Sequence, residues 1–327
     1  MSDTYSEHGL HPSAQRYSLI RGAIFGHVIG DALGVPVEFV PRQRLQKHPV
    51  SEMAGGGSRR YPAGTWSDDS SMTLCALESL IQCNGYDGAD MMGRFASWAQ
   101  DGYMTSTGKA FGIGRTTFAA ICRFRRGEHS AAYGGKSEKD NGNGSLMRIL
   151  PVVLFNFFCK AGESDGRKLE TVYQASQLTH AHLRSQVACG IYSFIAEELL
   201  RKPVKSSISL GVKRSSEFYQ EHEEYPNFSR LFSEEFFSLP VEEIRSGGYV
   251  VDTLEAAVWC LMNSGTYREC VLKAVNLGGD ADTTAAVAGG LAGILYGEAA
   301  LPETWATQLA NSEMIDGLCK KAAEAWV

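Results

Sequence analysis

The sequence is short of the features that would place it in several large classes. No apolar run reaches the roughly 18 residues that a bilayer-spanning helix needs; the nearest, 146–158, is interrupted by Arg148 and Pro151. No membrane partner is expected. No stretch is rich enough in Pro, Gly or Ser to read as a flexible linker or a low-complexity segment. The 31 Lys and Arg are outnumbered by 37 Asp and Glu, giving a net charge of −6, and they form no basic cluster, so no nucleic-acid partner is expected either. Residues 1–16 are polar and lack the charged start and apolar middle of an export signal. The eight cysteines include no Cys-x-x-Cys pair and fall mostly in apolar, helix-like segments. Their setting points to reduced thiols in a cytoplasmic protein rather than to disulfides.

What is present is helical periodicity, with few alternating strand-like runs. The 327 residues, 44% apolar and 21% charged, have an ordinary globular composition. The expected organisation is a polar extension over 1–16 and a single all-α domain over 17–327. The first helix is expected over about Ser18–Leu33 and carries Gly22, Gly26, Gly30 and Gly34, one glycine per turn on one face. An interior glycine costs about 1 kcal/mol relative to alanine, so this stripe predicts another backbone packed closely against it. Further helices are expected from Asp68 to near Asn84, at 89–100, 115–126, 145–158, 168–178, 184–200, 252–263 and 267–276, and from Asp282 to Tyr296. The interior of the last, from Ala285 to Gly293, is made of small residues and suits a central helix with neighbours on all sides. The loop 41–64 and two presumed surface additions, 123–140 and 202–247, receive no fold assignment.

Two acidic helix starts carry the chemistry. Ser67-Asp68-Asp69 could be a plain helix cap, since Ser and Asp are preferred there and carboxylates suit a first turn. A second start, Asp280-Ala281-Asp282-Thr283, offers two more carboxylates and another hydroxyl. Brought together, these residues supply six oxygen ligands with no His or Cys, a set that selects Mg²⁺, Mn²⁺ or Ca²⁺ over zinc. Glu38 lies between apolar neighbours just past the first helix. The turn Asn141-Gly142-Asn143-Gly144-Ser145 enters a helix and could present backbone N–H groups to an anion. His180 and His182 lack metal-type partners at helical spacing and read as core or ligand-contact residues.

Together the stretches GAIFGHVIGDALGVPVEF, GTWSDDSSM, NGNGSLMRILPV, THAHLRS and LGGDADTTAAVAGGLAGILYG resemble the ADP-ribosylglycohydrolase family. The resemblance implies a compact all-α fold around two Mg²⁺ or Mn²⁺ ions and the hydrolytic release of ADP-ribose from a modified, arginine-linked protein side chain by cleavage at ribose C1. It implies metal ligation by Ser67, Asp68, Asp69, Asp280, Asp282 and Thr283, and catalytic roles for Glu38, Asp68 and Asp282, with Glu38 handling a proton. Substrate contact falls to Asn141, Gly142, Asn143, Gly144, Ser145 and His180. Some members of the family neutralise ADP-ribosylating toxins, which adds such a toxin as a partner to weigh beside the ADP-ribosylated protein substrate. A two-metal phosphoesterase is a third reading. In one respect the sequence departs from the pattern: many members carry an Asp facing the active site where this chain has Gly112.

Overall fold

Fourteen α-helices joined by short turns make up a computed structural model that describes residues 12–57, 60–130 and 133–326. Among the described residues there is no β-strand, only three isolated bridges. Two helices form the axis: α1 (Pro12–Gly34) and α12 (Ala281–Tyr296). They run antiparallel, and the glycine stripe is their contact. A Cβ placed on Gly22, Gly26 or Gly30 would lie 2.9, 2.4 or 2.1 Å from the carbonyl oxygens of Gly293, Gly289 and Ala285. On Gly34 it would lie 2.3 Å from the Cα of Asp282. No other residue permits that approach, because two backbones occupy the space a side chain would need. The register of the two helices is thereby fixed, and it sets the end of α1 beside the start of α12.

The other helices wrap this pair. They are α2 (Arg42–Lys47), α3 (Asp68–Gln82), α4 (Gly88–Asp101), α5 (Arg115–Arg125), α6 (Leu150–Cys159), α7 (Asp165–Gln177) and α8 (Leu183–Arg201). After them come α9 (Lys205–Tyr219), α10 (Val250–Met262), α11 (Tyr267–Asn276), α13 (Glu303–Gln308) and α14 (Ser312–Ala325). One continuous apolar core runs through all of them except α2, including Ile24, Trp66, Trp98, Ile191, Leu254 and Leu291. All eight cysteines are free, and five are buried.

The structure corrects several expectations. Helix α1 begins at Pro12, not Ser18, and residues 1–11 of the expected extension lie outside the described residues. The segment 13–37 is long and apolar enough to cross a bilayer, contrary to the sequence reading, but 83% of its most apolar window is buried in the protein, which marks it as a core helix. Helix α6 starts at Leu150, after a 3-10 turn over Leu146–Arg148, because Pro151 fits only a first helical turn. Helix α2 lies inside the expected loop. The segment 202–247 is no surface addition: α9 buries Ile208, Val212 and Tyr219, and the turns beyond it bury Phe228, Leu231, Phe236 and Ile244.

Replacing Gly30 by Ala puts a methyl group into the Ala285 carbonyl and is expected to destabilise the fold by about 3 kcal/mol, the upper end of overpacking costs. Gly93, inside α4, has open space at its Cβ position, so Gly93→Ala should stabilise by about 0.5–1 kcal/mol. Urea unfolding of both variants checks the pair; equal midpoints would refute the close-packed axis.

Candidate active site

Three chain segments meet where α1 ends and α12 begins. Beyond Gly34 a 3-10 turn, Val35–Val37, delivers Glu38. Phe39 then takes a left-handed backbone (φ 60°) and donates its N–H to the Gly279 carbonyl at 2.6 Å, while the Gly279 N–H returns to Val40 O at 3.0 Å. Gly278 and Gly279 are also left-handed (φ 71° and 68°), and a Cβ on Gly279 would strike the Ser246 carbonyl at 2.3 Å. Arg42 fastens the loop from the other side by donating to the carbonyls of Leu277 (2.8 Å), Val241 (2.6 Å) and Ile244. These tethers hold Glu38 against Asp280 and Asp282.

The third segment is the start of α3, held by Asp31 of α1. Its carboxylate accepts the N–H groups of Ser67 (3.0 Å) and Ser70 (3.0 Å) and the Ser70 hydroxyl at 2.6 Å. Ser67 in turn caps α3, accepting the Asp69 N–H at 3.3 Å and donating its hydroxyl to Asp69 Oδ2 at 2.9 Å. Thr283, on α12, donates to the same oxygen at 3.2 Å. The plain capping role expected of Ser67 is therefore real, and the acids beside it are free of that duty. Asp280 begins α12 without a side-chain cap bond; its Oδ2 accepts from Asn143 Nδ2 at 2.7 Å.

The result is two carboxylate trios that share a corner. Asp31, Asp69 and Asp282 form one, and Glu38, Asp280 and Asp282 the other; within each, one oxygen per residue lies within 4.8 Å of the others. Asp68 borders the same cavity beside Gly112. The first trio is dry, with Asp31, Asp69 and Asp282 at most 2% exposed; in the second, Glu38 and Asp280 are half-buried. Burial, followed by the field of Asp31, pushes Asp68 and Asp69 well above the ordinary carboxylate range. Burial and then Asp69 do the same to Asp282, and burial lifts Asp31 to about 6 against its hydrogen bonds from Ser67 and Ser70. Asp69 Oδ1 is buried with no hydrogen-bond donor. An unpaired carboxylate oxygen among other carboxylates, facing the positive ends of two helices, matches a divalent cation and little else.

The cavity at this junction, about 250 Å³, is lined by Glu38, Asp68, Asp69, Asp280, Asp282 and Thr283, and by Gly142, Asn143, Gly144 and His180. Sequence reasoning thus named most of its wall. Asn141 and Ser145 face elsewhere: Asn141 accepts from Ser185 at 3.2 Å, and Ser145 accepts from Ser176 at 2.9 Å. Gly144 lets His180 approach, since a Cβ there would sit 2.7 Å from the imidazole Cε1. Burial and the nearby Arg148 hold the His180 imidazole down at about 3, so it is neutral. His182 instead caps α8 and stands near Glu138 and Glu224, whose charges Arg184 meets at 2.8 and 2.7 Å.

Two residues escaped the sequence reading. Asp31 seemed only one polar residue in a buried helix; the signal was a carboxylate in the middle of a glycine-striped apolar run. Arg148, fully buried, donates to the last-turn carbonyl of Ala175 at 3.0 Å and to the Thr179 hydroxyl at 2.8 Å, and so fixes the turn that carries His180.

An all-helical protein whose axis ends in paired trios of oxygen donors, with a glycine-lined wall opposite, is built like a carboxylate-metal hydrolase. Comparison with known proteins identifies which hydrolases the chain is related to. The family model described as ADP-ribosylglycohydrolase matches residues 12–327. The chain is 33% identical over 314 residues to the ADP-ribosylarginine hydrolase Tri1 of Serratia proteamaculans, covering 95% of this chain and 81% of that protein. It is 32% identical to the ADP-ribosyl-[dinitrogen reductase] glycohydrolase of Rhodospirillum rubrum, covering 88% of this chain and 89% of that one. Among solved structures, an ADP-ribosylglycohydrolase-related protein complex superposes with a TM-score of 0.80 at 31% identity, over 96% of this chain and 100% of the other. The chain belongs to the ADP-ribosylglycohydrolase family, whose members hydrolyse bonds to ADP-ribose.

The trios make a prediction about stability. Asp31 has a folded-state pKa raised from 3.8 to about 6, so the stability it contributes is complete below its unfolded value and lost as pH rises through about 6. Asp68, Asp69 and Asp282 shift in the same direction. A cation that neutralises the cluster removes this loss. The gap in melting temperature between Mn²⁺-loaded and chelated protein should therefore widen from pH 4 to pH 7; a constant or shrinking gap would contradict the cluster as described.

Proposed function

We propose that the protein removes ADP-ribose from arginine side chains of a modified protein, with a pair of Mg²⁺ or Mn²⁺ ions held between its two acidic helix starts. The observation that carries this reading is Asp282 standing as the common corner of both trios, next to the orphaned Asp69 oxygen. Ser67, Asp68, Asp69, Asp280, Asp282 and Thr283 would hold the ions. The donor set fits them, being all oxygen and strongly anionic. Bound there, the pair would supply positive charge and Lewis acidity toward the ribose hydroxyls and a water. The arginine linkage is supported by the likeness to the ADP-ribosylarginine hydrolases named Tri1, at 33% and 34% identity over more than nine-tenths of this chain.

The remaining roles belong to side chains and backbone around the cavity. Cleavage at ribose C1 develops oxocarbenium character, which buried carboxylates favour. Glu38 borders the acidic cavity and the larger cleft beside it, a position from which its carboxyl can hand a proton to the departing nitrogen. Gly142 and Gly144 present backbone without side chains, suited to a diphosphate. Neutral His180 adds an uncharged wall that does not compete with the cations for the substrate's negative charge. Asn143 has its amide bound to Asp280 and Thr253, so it serves the acidic cluster as well as the substrate wall. The eight free thiols support a reducing, cytoplasmic setting.

Mass analysis of products from an arginine-ADP-ribosylated protein should show free ADP-ribose in the presence of Mg²⁺ and none after chelation. AMP with ribose phosphate would instead indicate a phosphoesterase. Asp68→Ala and Asp282→Ala should abolish release; cellular protection against an ADP-ribosylating toxin that survived either change would favour neutralisation by binding. Glu38→Gln should lower kcat by about 10²–10⁴-fold while KM changes little, and a normal kcat would remove Glu38 from the chemistry.

A further inference from the structure

The acidic cavity has a neighbour. A cleft of about 1070 Å³ adjoins it, bounded by the segment 35–40, α2, Tyr61 and residues 110–114. Glu38, Phe39, Gly112 and Gly114 line both spaces, so the two meet at these residues, with the Glu38 carboxylate at the waist. The smaller space carries the glycine turn and His180. The larger has none of these; apolar and aromatic groups such as Val35, Phe39, Tyr61 and Phe111 share its walls with Glu38, Arg44 and His48, and its volume lies at the top of the roughly 300–1,000 Å³ range of small-molecule pockets. One arginine side chain would leave most of it empty.

We propose that this cleft seats the polypeptide segment bearing the modified arginine, in extended form, with an acidic residue of that segment toward Arg44 and His48. The proposal rests on the arginine-directed reading above and adds the partner's chemistry. Gly112 is the doorway. Its φ is +84°, and a Cβ there would lie 2.0 Å from Asp68 Oδ1, so a side chain at this position would be strained and driven into the cluster. As glycine it leaves the waist open for a linked guanidinium to cross. Phe39, at the same waist, is 71% exposed although large and apolar, and its left-handed backbone is held by the bond to Gly279. Holding an aromatic in water on a constrained backbone is costly unless a partner covers it. Tyr61 and Phe111 stack with ring centroids 4.4 Å apart and form a rigid wall, against which a guanidinium or aliphatic stem can lie. Charge is graded along the cleft: Glu38 at the inner end suits the cationic guanidinium, and exposed Arg44 on α2 and His48 just past its end suit a carboxylate farther out.

Tyr61→Ala and Arg44→Glu test this, because neither residue borders the acidic cavity and Arg44 is exposed, so its replacement leaves the fold intact. Two readouts are needed: kcat/KM with Mg²⁺, and fluorescence anisotropy of a labelled peptide bound to chelated protein. Both use an arginine-ADP-ribosylated peptide with acidic flanking residues, and free ADP-ribosylarginine as the comparison ligand. Each variant should lower kcat/KM on the peptide about tenfold, mainly through KM, and weaken peptide binding similarly, while free ADP-ribosylarginine stays within twofold of wild type. Unchanged peptide binding, or equal losses on peptide and free ligand, would overturn the proposal. If wild-type protein binds the peptide in a manner sensitive to both variants yet releases no ADP-ribose, the cleft stands and the arginine-hydrolase reading falls.

Discussion

The contact between α1 and α12 governs everything else in the molecule. Glycine at every fourth position of α1 removes the side chains that would hold the two helices apart, and carbonyls of one helix then occupy the space of absent Cβ atoms on the other. Contact this close has no slack, so the register of α12 against α1 is set to within a fraction of an ångström. Asp31 and Asp282 belong to these two helices, and Glu38 and Asp280 to the segments that immediately join them. The chemistry is thus placed by the least functional-looking residues in the chain.

That arrangement carries a large electrostatic cost, which the protein meets in layers. Asp31 is neutralised in part by the donors of Ser67 and Ser70, Asp69 Oδ2 by two hydroxyls, and Asp280 by the Asn143 amide. The starts of α3 and α12 aim positive ends at the cluster. What these leave unmet is concentrated at Asp69 Oδ1 and in the raised affinities of Asp68, Asp69 and Asp282 for protons. A divalent cation bound there would offset what these donors leave unmet.

Much of this was legible in the sequence, and the remainder was hidden for identifiable reasons. The glycine stripe and the small-residue helix from Ala285 to Gly293 each announced close packing, but nothing local said that they pack on each other; only the tertiary register does. The acidic starts announced oxygen chemistry because two helix caps do not need four carboxylates. Asp31 was missed because a single acid in an apolar helix has many explanations, and its bonds go to Ser67 and Ser70, some 36–39 residues away. Helix α9 was missed because Ile208, Val212 and Tyr219 are spaced as a buried stripe within a segment otherwise dominated by polar and charged residues. Asn141 and Ser145 look like ligand contacts in the motif, yet their side chains turn toward the core to anchor the turn that Gly142 and Gly144 present.

If the reading proposed above is right, the two acidic helix starts converge on a shared pair of divalent ions. Anomalous diffraction from a crystal grown with Mn²⁺ measures it directly. Two Mn²⁺ peaks should lie within a few ångströms of each other among Asp68, Asp69, Asp280 and Asp282 if the two motifs share the ions. A structure with Asp68 and Asp282 far apart, or with no ion between the two motifs, would contradict it.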